Sequence, residues 1–285
     1  MHISLIVPTL GRLNEFDDFL TSIIRNDSES IKNKLLEVIV VDQNEDGFGL
    51  RDIATKHSDV LNVNYIPSSK KGLSHNRNVG LELVNMGVVA FPDDDCTYYS
   101  DTVTKVESFF IKNPKVDVVI GRIFDRSTQK NIIRNWPEKN VIVNRFNFYQ
   151  LSSSITIFLR EKEELYFDEN LGAGAAFGSC EDPDFLYRLL KQGKTILYTP
   201  SIEVWHPTPD ESTISLDKVS SYSRGFGAFV RKDFDLVKLY LFLGCLTKKS
   251  FQFMFFNKKF KKGYFKAFFT GLFKGIVKFN RYENK

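Results

Sequence analysis

Residues 88–95 read VVAFPDDD. Four apolar residues, too few for a helical period and bounded by a proline, have the character of a buried strand. They run straight into three adjacent carboxylates, Asp93, Asp94 and Asp95. Neighbouring carboxylates repel one another, and crowding them behind a buried strand is costly unless positive charge sits among them. A plain surface turn is the competing explanation, and the rest of the chain decides between the two.

Upstream, strands of the same kind alternate with helical periods. Residues 2–7, 37–42 and 62–66 read as strands; 13–25, 50–57, 74–86 and 100–112 read as helices. Short apolar strands separated by helices predict an α/β fold, a mostly parallel sheet covered by helices on both faces. Further on, 116–120, 155–159 and 195–198 have strand character, and 181–190 reads as a helix closed by Gly193. Neither a GxGxxG fingerprint nor a GxxxxGK[ST] loop occurs, which argues against a dinucleotide site and an ordinary P-loop ATPase.

The chain has 285 residues, 42% hydrophobic and 26% charged, ordinary globular material for one large domain with an appendage. Its three cysteines, Cys96, Cys180 and Cys245, form no CxxC pair, so a disulfide framework or a cysteine-ligated zinc is not expected and a reducing cytosol fits. The first residues lack a basic leader with an apolar core, and no apolar run reaches the roughly 18 residues of a membrane span. Charge is divided unevenly. Residues 236–285 carry twelve Lys or Arg against the single acid Glu283, so a segment of net +11 joins a body of net −7 in a chain of net +4. That asymmetry predicts two jobs in one chain.

Ligands of open parallel sheets bind outside the carboxyl ends of the strands. After the first strand come Pro8 and Thr9; after the second, Asp42; after the third, Lys70, Lys71 and Gly72; after the fourth, the three aspartates. Polar groups thus collect on the expected binding edge, which raises the aspartate run above a surface turn. Mg²⁺ and Mn²⁺ take hard oxygen ligands, and a carboxylate pair at a strand end suits a cation that grips a diphosphate. Such a cation stabilises charge developing on a phosphate leaving group.

Taken in order, VPTLGR, EVIVVDQNEDG, KGLSHNRNVG, AFPDDD and GSCEDPDFLYRL resemble the family 2 glycosyltransferases of GT-A fold, over roughly residues 1–210. The resemblance implies a Rossmann-like, mostly parallel sheet and roles for individual residues. Pro8 and Thr9 would line the nucleotide, and Asp42 would contact the base, although Asp42 could equally cap a turn formed with Asn44, Asp46 and Gly47. Arg77 would lie near the nucleotide and phosphates, whereas local sequence alone places it on a solvated helix face in a first turn capped by Ser74. Asp93 and Asp95 match the outer members of the DxD element that serves ribose and metal; the middle position is also an acid, Asp94, so more than one ligand pair is open. Glu181 or Asp182 matches the base that deprotonates the acceptor hydroxyl for inverting attack at the anomeric carbon. Asp182, ahead of Pro183, also suits an N-cap. His206 falls where such enzymes place a histidine near metal or diphosphate, against the alternative of a histidine packed beside Trp205.

The implied activity is the transfer of one sugar from a nucleotide sugar, UDP-linked by expectation, with Mn²⁺ or Mg²⁺, to a saccharide or lipid-linked saccharide acceptor. Bacterial surface-polysaccharide assembly, of capsule or O-antigen, is the setting. Processive relatives carry QxxRW and membrane spans; Arg134-Asn135-Trp136 does not match that motif. A sugar nucleotidyltransferase would need a longer glycine-rich loop after the first strand, and a catalytically inactive membrane scaffold would have no use for both acidic elements.

The basic segment has its own pattern. Phe265, Phe268, Phe269, Leu272, Ile276 and Phe279 share one helical face, and Lys262, Lys266, Lys274 and Lys278 line another. Residues 251–256 add aromatic anchors, followed by Lys258, Lys259, Lys261 and Lys262. Lys opposite a Phe-rich face predicts a helix lying in a membrane interface, each Lys contributing about 1 kcal/mol at an anionic leaflet. Packing of the stripe on the chain's own body is the alternative; the wide Phe face argues against nucleic acid. The expected division is a transferase domain at 1–215 and a membrane-associating extension at 216–285, on the cytoplasmic face of the cell membrane.

Overall fold

The computed structural model describes every residue except 46–47, 85–86, 161–165, 209–213, 257–259 and 280–285. Asp46, Gly47, Met86, Lys258, Lys259 and Glu283 therefore lie outside the described residues. The chain runs β1 (Ile3–Thr9), α1 (Leu13–Ile24), α2 (Glu29–Lys32), β2 (Leu36–Asp42), α3 (Leu50–His57), β3 (Asn62–Pro67), α4 (Leu73–Leu83) and β4 (Val88–Ala90). Next come β5 (Thr97–Tyr98), α5 (Thr102–Lys112), β6 (Val118–Asp125), β7 (Lys130–Asn131), β8 (Val141–Ile142) and α6 (Phe148–Leu151). A 3-10 turn at Ser154–Thr156, β9 (Ile157–Arg160), α7 (Glu181–Lys191) and β10 (Ile196–Trp205) follow, then α8 (Leu216–Arg231), α9 (Leu236–Phe256) and α10 (Tyr264–Phe279).

The strands form one sheet in the order β3-β2-β1-β4-β9-β6-β10-β5, with β7 on β6 and β8 on β10. β3, β2, β1 and β4 are parallel, β9 runs against β4 and β6, and β6 and β10 are again parallel. All seven residues of β1 are buried, as a strand covered on both faces requires. On one face Leu5, Val7, Val38 and Val40 pack with Phe16, Phe19, Leu20 and Ile23, the apolar stripe of α1, and with Val106 and Phe110 of α5. On the other, α4 lies so close that a Cβ on Gly80 would overlap the Ile6 side chain. From β1 the chain moves outward through β2 and β3, then returns to place β4 on the opposite side of β1. That reversal makes a topological switch point, where crevices open at the carboxyl ends of the strands.

Contacts divide the described chain into two compact units. The first comprises Met1–Lys71, His75–Phe167 and Phe185–Pro209 and holds the whole sheet; the second comprises Gly72–Ser74, Asp168–Asp184 and Asp210–Lys285. In the second unit α8 and α10 meet backbone to backbone. Cβ atoms on Gly227, Gly271 and Gly275 would overlap the carbonyl oxygens of Leu272, Ser220 and Arg224. Phe177 and Phe279 pack with their rings tilted and 5.5 Å apart within a core that includes Leu171 and Ala228.

The Phe stripe of α10 is thus occupied by the chain itself. Phe265, Phe268, Leu272 and Phe279 are buried, which corrects the expectation that this face meets lipid. Most of the exposed apolar surface of the extension is on α9, where Leu236, Leu243, Phe251, Met254 and Phe255 are all more than half exposed, with Phe273 and Val277 of α10 adding to it. Among the described residues no helix is long and apolar enough to cross a membrane.

Lys232 follows α8 and places Nζ 2.7 Å from Asp168 Oδ2 and 2.9 Å from Asp184 Oδ2. Burial pushes the Asp168 carboxyl up, but the Lys232 ammonium outweighs it and holds the group below its usual value. A carboxyl depressed in the folded chain stabilises it above the unfolded pKa and loses that stabilisation as pH falls. Lys232→Met removes the cation shared by both acids and is expected to cost about 3 kcal/mol at pH 7. In urea melts run against pH, that deficit should shrink below about pH 4, the ordinary aspartate range; a deficit independent of pH would contradict the electrostatic account. Gly227→Ala forces a methyl into the α8–α10 contact and should lower stability by about 1–3 kcal/mol, read as a fall in Tm.

Candidate active site

The ends of β1, β2 and β3 are level, with Thr9 opposite Asp42 and Asp42 opposite Pro67. Gly11, at φ +77°, turns the chain after β1, and its N–H donates to Asn44 Oδ1 at 2.7 Å. Asn44 in turn donates from both its backbone N and Nδ2 to Asp42 Oδ1, each at 2.8 Å. The Tyr65 hydroxyl donates to Asp42 Oδ2 at 2.6 Å; burial first, then this carboxylate, pushes the Tyr65 pKa up to about 12. Asp42 therefore does cap the turn, and its buried carboxylate is fixed at the sheet edge between two loops.

The aspartate run follows β4 beside these groups, and each carboxylate has a cation. Arg77 is only 1% exposed, so the alternative of a solvated helix face does not hold. Its Nη2 donates to Asp93 Oδ1 at 3.1 Å and to Ser154 Oγ at 2.7 Å, and the guanidinium lies 5.1 Å from the centre of the Phe167 ring. Helix α4 begins at Leu73, so Ser74 lies inside it and is not its cap. Arg12, at the start of α1, puts Nη1 2.7 Å from Asp94 Oδ1 and 2.6 Å from Asp95 Oδ2. His206 Nε2 stands 3.3 Å from Asp95 Oδ1, while Nδ1 is 2.7 Å from the Pro207 carbonyl, to which it donates.

Burial raises the Asp94 carboxyl above its usual value even beside Arg12. Asp95 is pushed up by burial too, but His206 and Arg12 outweigh that and leave it lowered. Burial pulls the His206 imidazole down, and the contact with Asp95 more than offsets this, so it is raised. His206 reaches the site because β5 pairs antiparallel with β10, Tyr98 opposite Val204 and Thr97 opposite Trp205. That two-residue pairing brings His206 into contact with Asp95, 111 positions away in the chain.

Ligand atoms of Asp93, Asp95 and His206 all lie within 4.8 Å of one another, close enough to share one cation. Two carboxylates and an imidazole suit Mn²⁺, and with phosphate oxygens Mg²⁺. Asp95 Oδ1 is buried and accepts no well-aligned hydrogen bond, the His206 Nε2 contact at 3.3 Å being a loose one, and a cation would satisfy it more fully. The donor set fits a divalent metal.

Glu181 and Asp182 belong to the second unit. Both are half-buried in the first turn of α7. The helix begins at Glu181, and Asp184 N donates its first bond to the Cys180 carbonyl at 3.1 Å. Cys180, at φ +73°, is therefore the N-cap, which corrects the assignment of that role to Asp182. The glycine-rich stretch 171–178 borders Glu181: Gly172 sits at φ +106°, and a Cβ there would come 3.2 Å from Glu181 Cδ. Ser74 Oγ holds the same stretch by donating to the Leu171 carbonyl at 2.5 Å, and Leu73 N donates to Ala173 O at 2.9 Å. Carboxylates in a first helical turn face the positive end of the helix dipole and are favoured as anions.

Sequence reasoning passed over Arg12, Tyr65, Ser154 and Phe167. Arg12 was the most accessible of these, being the one charged residue of VPTLGR; the others are contacts across the fold and leave no local signal.

The description "Glycosyl transferase family 2" matches residues 4–176. No curated protein sequence matches significantly. Among solved structures, S. aureus TarS 1-349 in complex with UDP-GlcNAc is similar at TM-score 0.65 and 20% identity, covering 96% of this chain and 80% of that one. A mannosyltransferase from Pyrobaculum calidifontis, PcManGT, in complex with GDP-Man and Mn²⁺ is similar at TM-score 0.61 and 14% identity, over 98% of this chain and 87% of the other. Against S. aureus TarS in its longer form the match spans 38% of that chain at 21% identity and TM-score 0.60. At such identities the structural likeness speaks for the fold, which is GT-A. The matched residues exceed half the chain, and the protein belongs to glycosyl transferase family 2.

Proposed function

We propose that this glycosyltransferase moves a single sugar, with inversion, from a UDP-linked donor to a saccharide or lipid-linked saccharide acceptor in bacterial surface-polysaccharide synthesis. The observation that carries the reading is the convergence of Asp93, Asp95 and His206 at the sheet's switch point. The nucleotide-sugar complexes of the structural neighbours, one of them with Mn²⁺, support a nucleotide-diphosphate donor. Pro8, Thr9 and Asp42 would hold the nucleoside, with Asp42 at the base, and Arg77 would stabilise the phosphate side. Asp93 and Asp94 would serve the ribose and, with Asp95 and His206, the Mn²⁺ or Mg²⁺. The cation, when bound, would offset charge on the departing diphosphate.

Glu181 or Asp182 would accept the acceptor hydroxyl's proton. The freed oxygen would then bond to the anomeric carbon as its bond to the diphosphate breaks, and attack opposite the leaving group inverts the centre. In calorimetric titrations UDP should bind the wild-type chain with Mn²⁺, and Asp93→Asn/Asp95→Asn should abolish the metal-dependent part. Glu181→Gln or Asp182→Asn should leave UDP binding intact, and the variant at the true base should lower transfer by about 10²–10⁴-fold. Absence of UDP binding under every metal condition would overturn the reading and favour an inactive scaffold.

For a lipid-linked acceptor, attachment to the cytoplasmic leaflet would come from the extension at 216–285, and α9 is the element suited to it. Leu236, Leu243, Phe251 and Met254 fall on one exposed helical stripe. No acidic residue occurs from 236 to 279, while Lys248, Lys261, Lys262, Lys266, Lys274 and Lys278 are exposed. Exposed apolar side chains edged by lysine match an anionic bilayer surface better than a second copy of the same cationic segment. The full chain should sediment with phosphatidylglycerol-containing vesicles and weaken in high salt. Leu243→Ser/Phe251→Ser/Met254→Ser should remain in the supernatant, and a wild-type chain that never sediments would remove the membrane from the proposal.

A further inference from the structure

The two arginines among the aspartates are held in different ways. Arg77 is enclosed, bonded to Asp93 and Ser154 and packed on Phe167. Arg12 reaches in from the loop between β1 and α1 with 44% of its side chain exposed, and a single nitrogen, Nη1, bridges Asp94 and Asp95. Behind it the backbone is fixed by the Gly11–Asn44 hydrogen bond, so the side chain can change partners without the loop moving. Asp95 is divided between two partners, with Oδ2 facing the Arg12 guanidinium and Oδ1 facing the His206 imidazole.

A guanidinium resting on a candidate metal ligand has a consequence for binding order. Like charges in a partly buried site repel, so a divalent cation on Asp95 weakens the hold of Arg12. A donor diphosphate offers anionic oxygens whose spacing matches the guanidinium fork. We propose that Arg12 is a placeholder cation, neutralising Asp94 and Asp95 while the site is empty and transferring to the donor's diphosphate when metal and nucleotide enter. This rests on the nucleotide-sugar reading above. Metal and nucleotide would then bind cooperatively, because each frees Arg12 for the other's benefit, and such coupling is reciprocal.

The sign of the effect separates this role from simple support of the loop. Mn²⁺ and UDP binding are measured by calorimetry on the full chain, wild type against Arg12→Ala, with Arg12→Gln as a longer substitute should the alanine form be unstable. Without its competitor, Mn²⁺ alone should bind about threefold more tightly or better, the scale of a half-exposed ion pair. UDP in saturating Mn²⁺ should bind about tenfold more weakly or worse, the scale of a lost charge-assisted hydrogen bond. Opposite movements of the two affinities support the placeholder. If both weaken together Arg12 merely supports the site, and if neither moves it is a bystander; either result overturns the proposal. A wild-type chain that binds no UDP at all sinks the donor reading itself, an outcome distinguishable from these because it appears before any substitution.

Discussion

Mutual repulsion among Asp93, Asp94 and Asp95 is the constraint to which the carboxyl edge of the sheet answers. Carboxylates left unpaired at the end of a buried strand would protonate or unfold the turn. The chain instead brings three nitrogen-bearing partners to them from three separate segments: the guanidinium of Arg77 from α4, that of Arg12 from the loop before α1, and the imidazole of His206 from the end of β10. None of these segments is near the others in sequence, so the charge balance exists only once both halves of the sheet are assembled. The site and the switch-point topology are for that reason one structure. The same balance makes room for chemistry, because Arg77 is locked by packing while Arg12 and His206 sit at the more open side.

How much of this was legible in the sequence follows from where each signal resides. The alternation from β1 through α5 could be read because each element carries its own period: all-apolar for β1, and Phe16, Phe19, Leu20 and Ile23 at helical spacing for α1. Strands of two residues such as β5 and β8 have no period at all and exist only through their partner β10. The candidate residues at strand ends were legible for the same topological reason that puts them on one edge. Their partners were not: Tyr65 on Asp42, Ser154 on Arg77 and Arg12 on Asp94 are contacts between elements. Arg77 shows the limit most plainly, since a helix position predicts solvent for an arginine unless the covering segment is known.

The basic segment illustrates a different limit. Periodicity reports that α10 has an apolar face but cannot report what covers it. The missing information lies in glycines. Gly227, Gly271 and Gly275 let α8 and α10 approach until backbone meets backbone, so the Phe stripe is consumed internally. Once α10 is committed in this way, the amphipathic argument has to be made afresh for α9, whose long apolar residues stay in solvent. Cationic charge with no acid from 236 to 279 then acts as a selector, because it tolerates an anionic surface and disfavours self-association.

His206 also depends on a polar device three residues upstream. Register between β6 and β10 shifts between Tyr198 and Glu203, and without a fixed point beyond the shift the end of β10 could slide. Glu203 supplies that point. Its carboxylate is 2.5 Å from Arg122 Nη2 and 2.6 Å from Arg126 Nε, and Arg126 continues to Asp101 at 2.7 Å. The Glu203 carbonyl accepts from Thr102 Oγ1 at 2.7 Å. Ion pairs this enclosed add little net stability, because desolvation offsets most of the attraction, but they make a displaced register expensive by stranding charge. A one-residue slip would break both arginine contacts and turn His206 to the other face of the sheet. The network therefore keeps the imidazole on the aspartate side, and the geometry of Asp93, Asp95 and His206 is inherited from it.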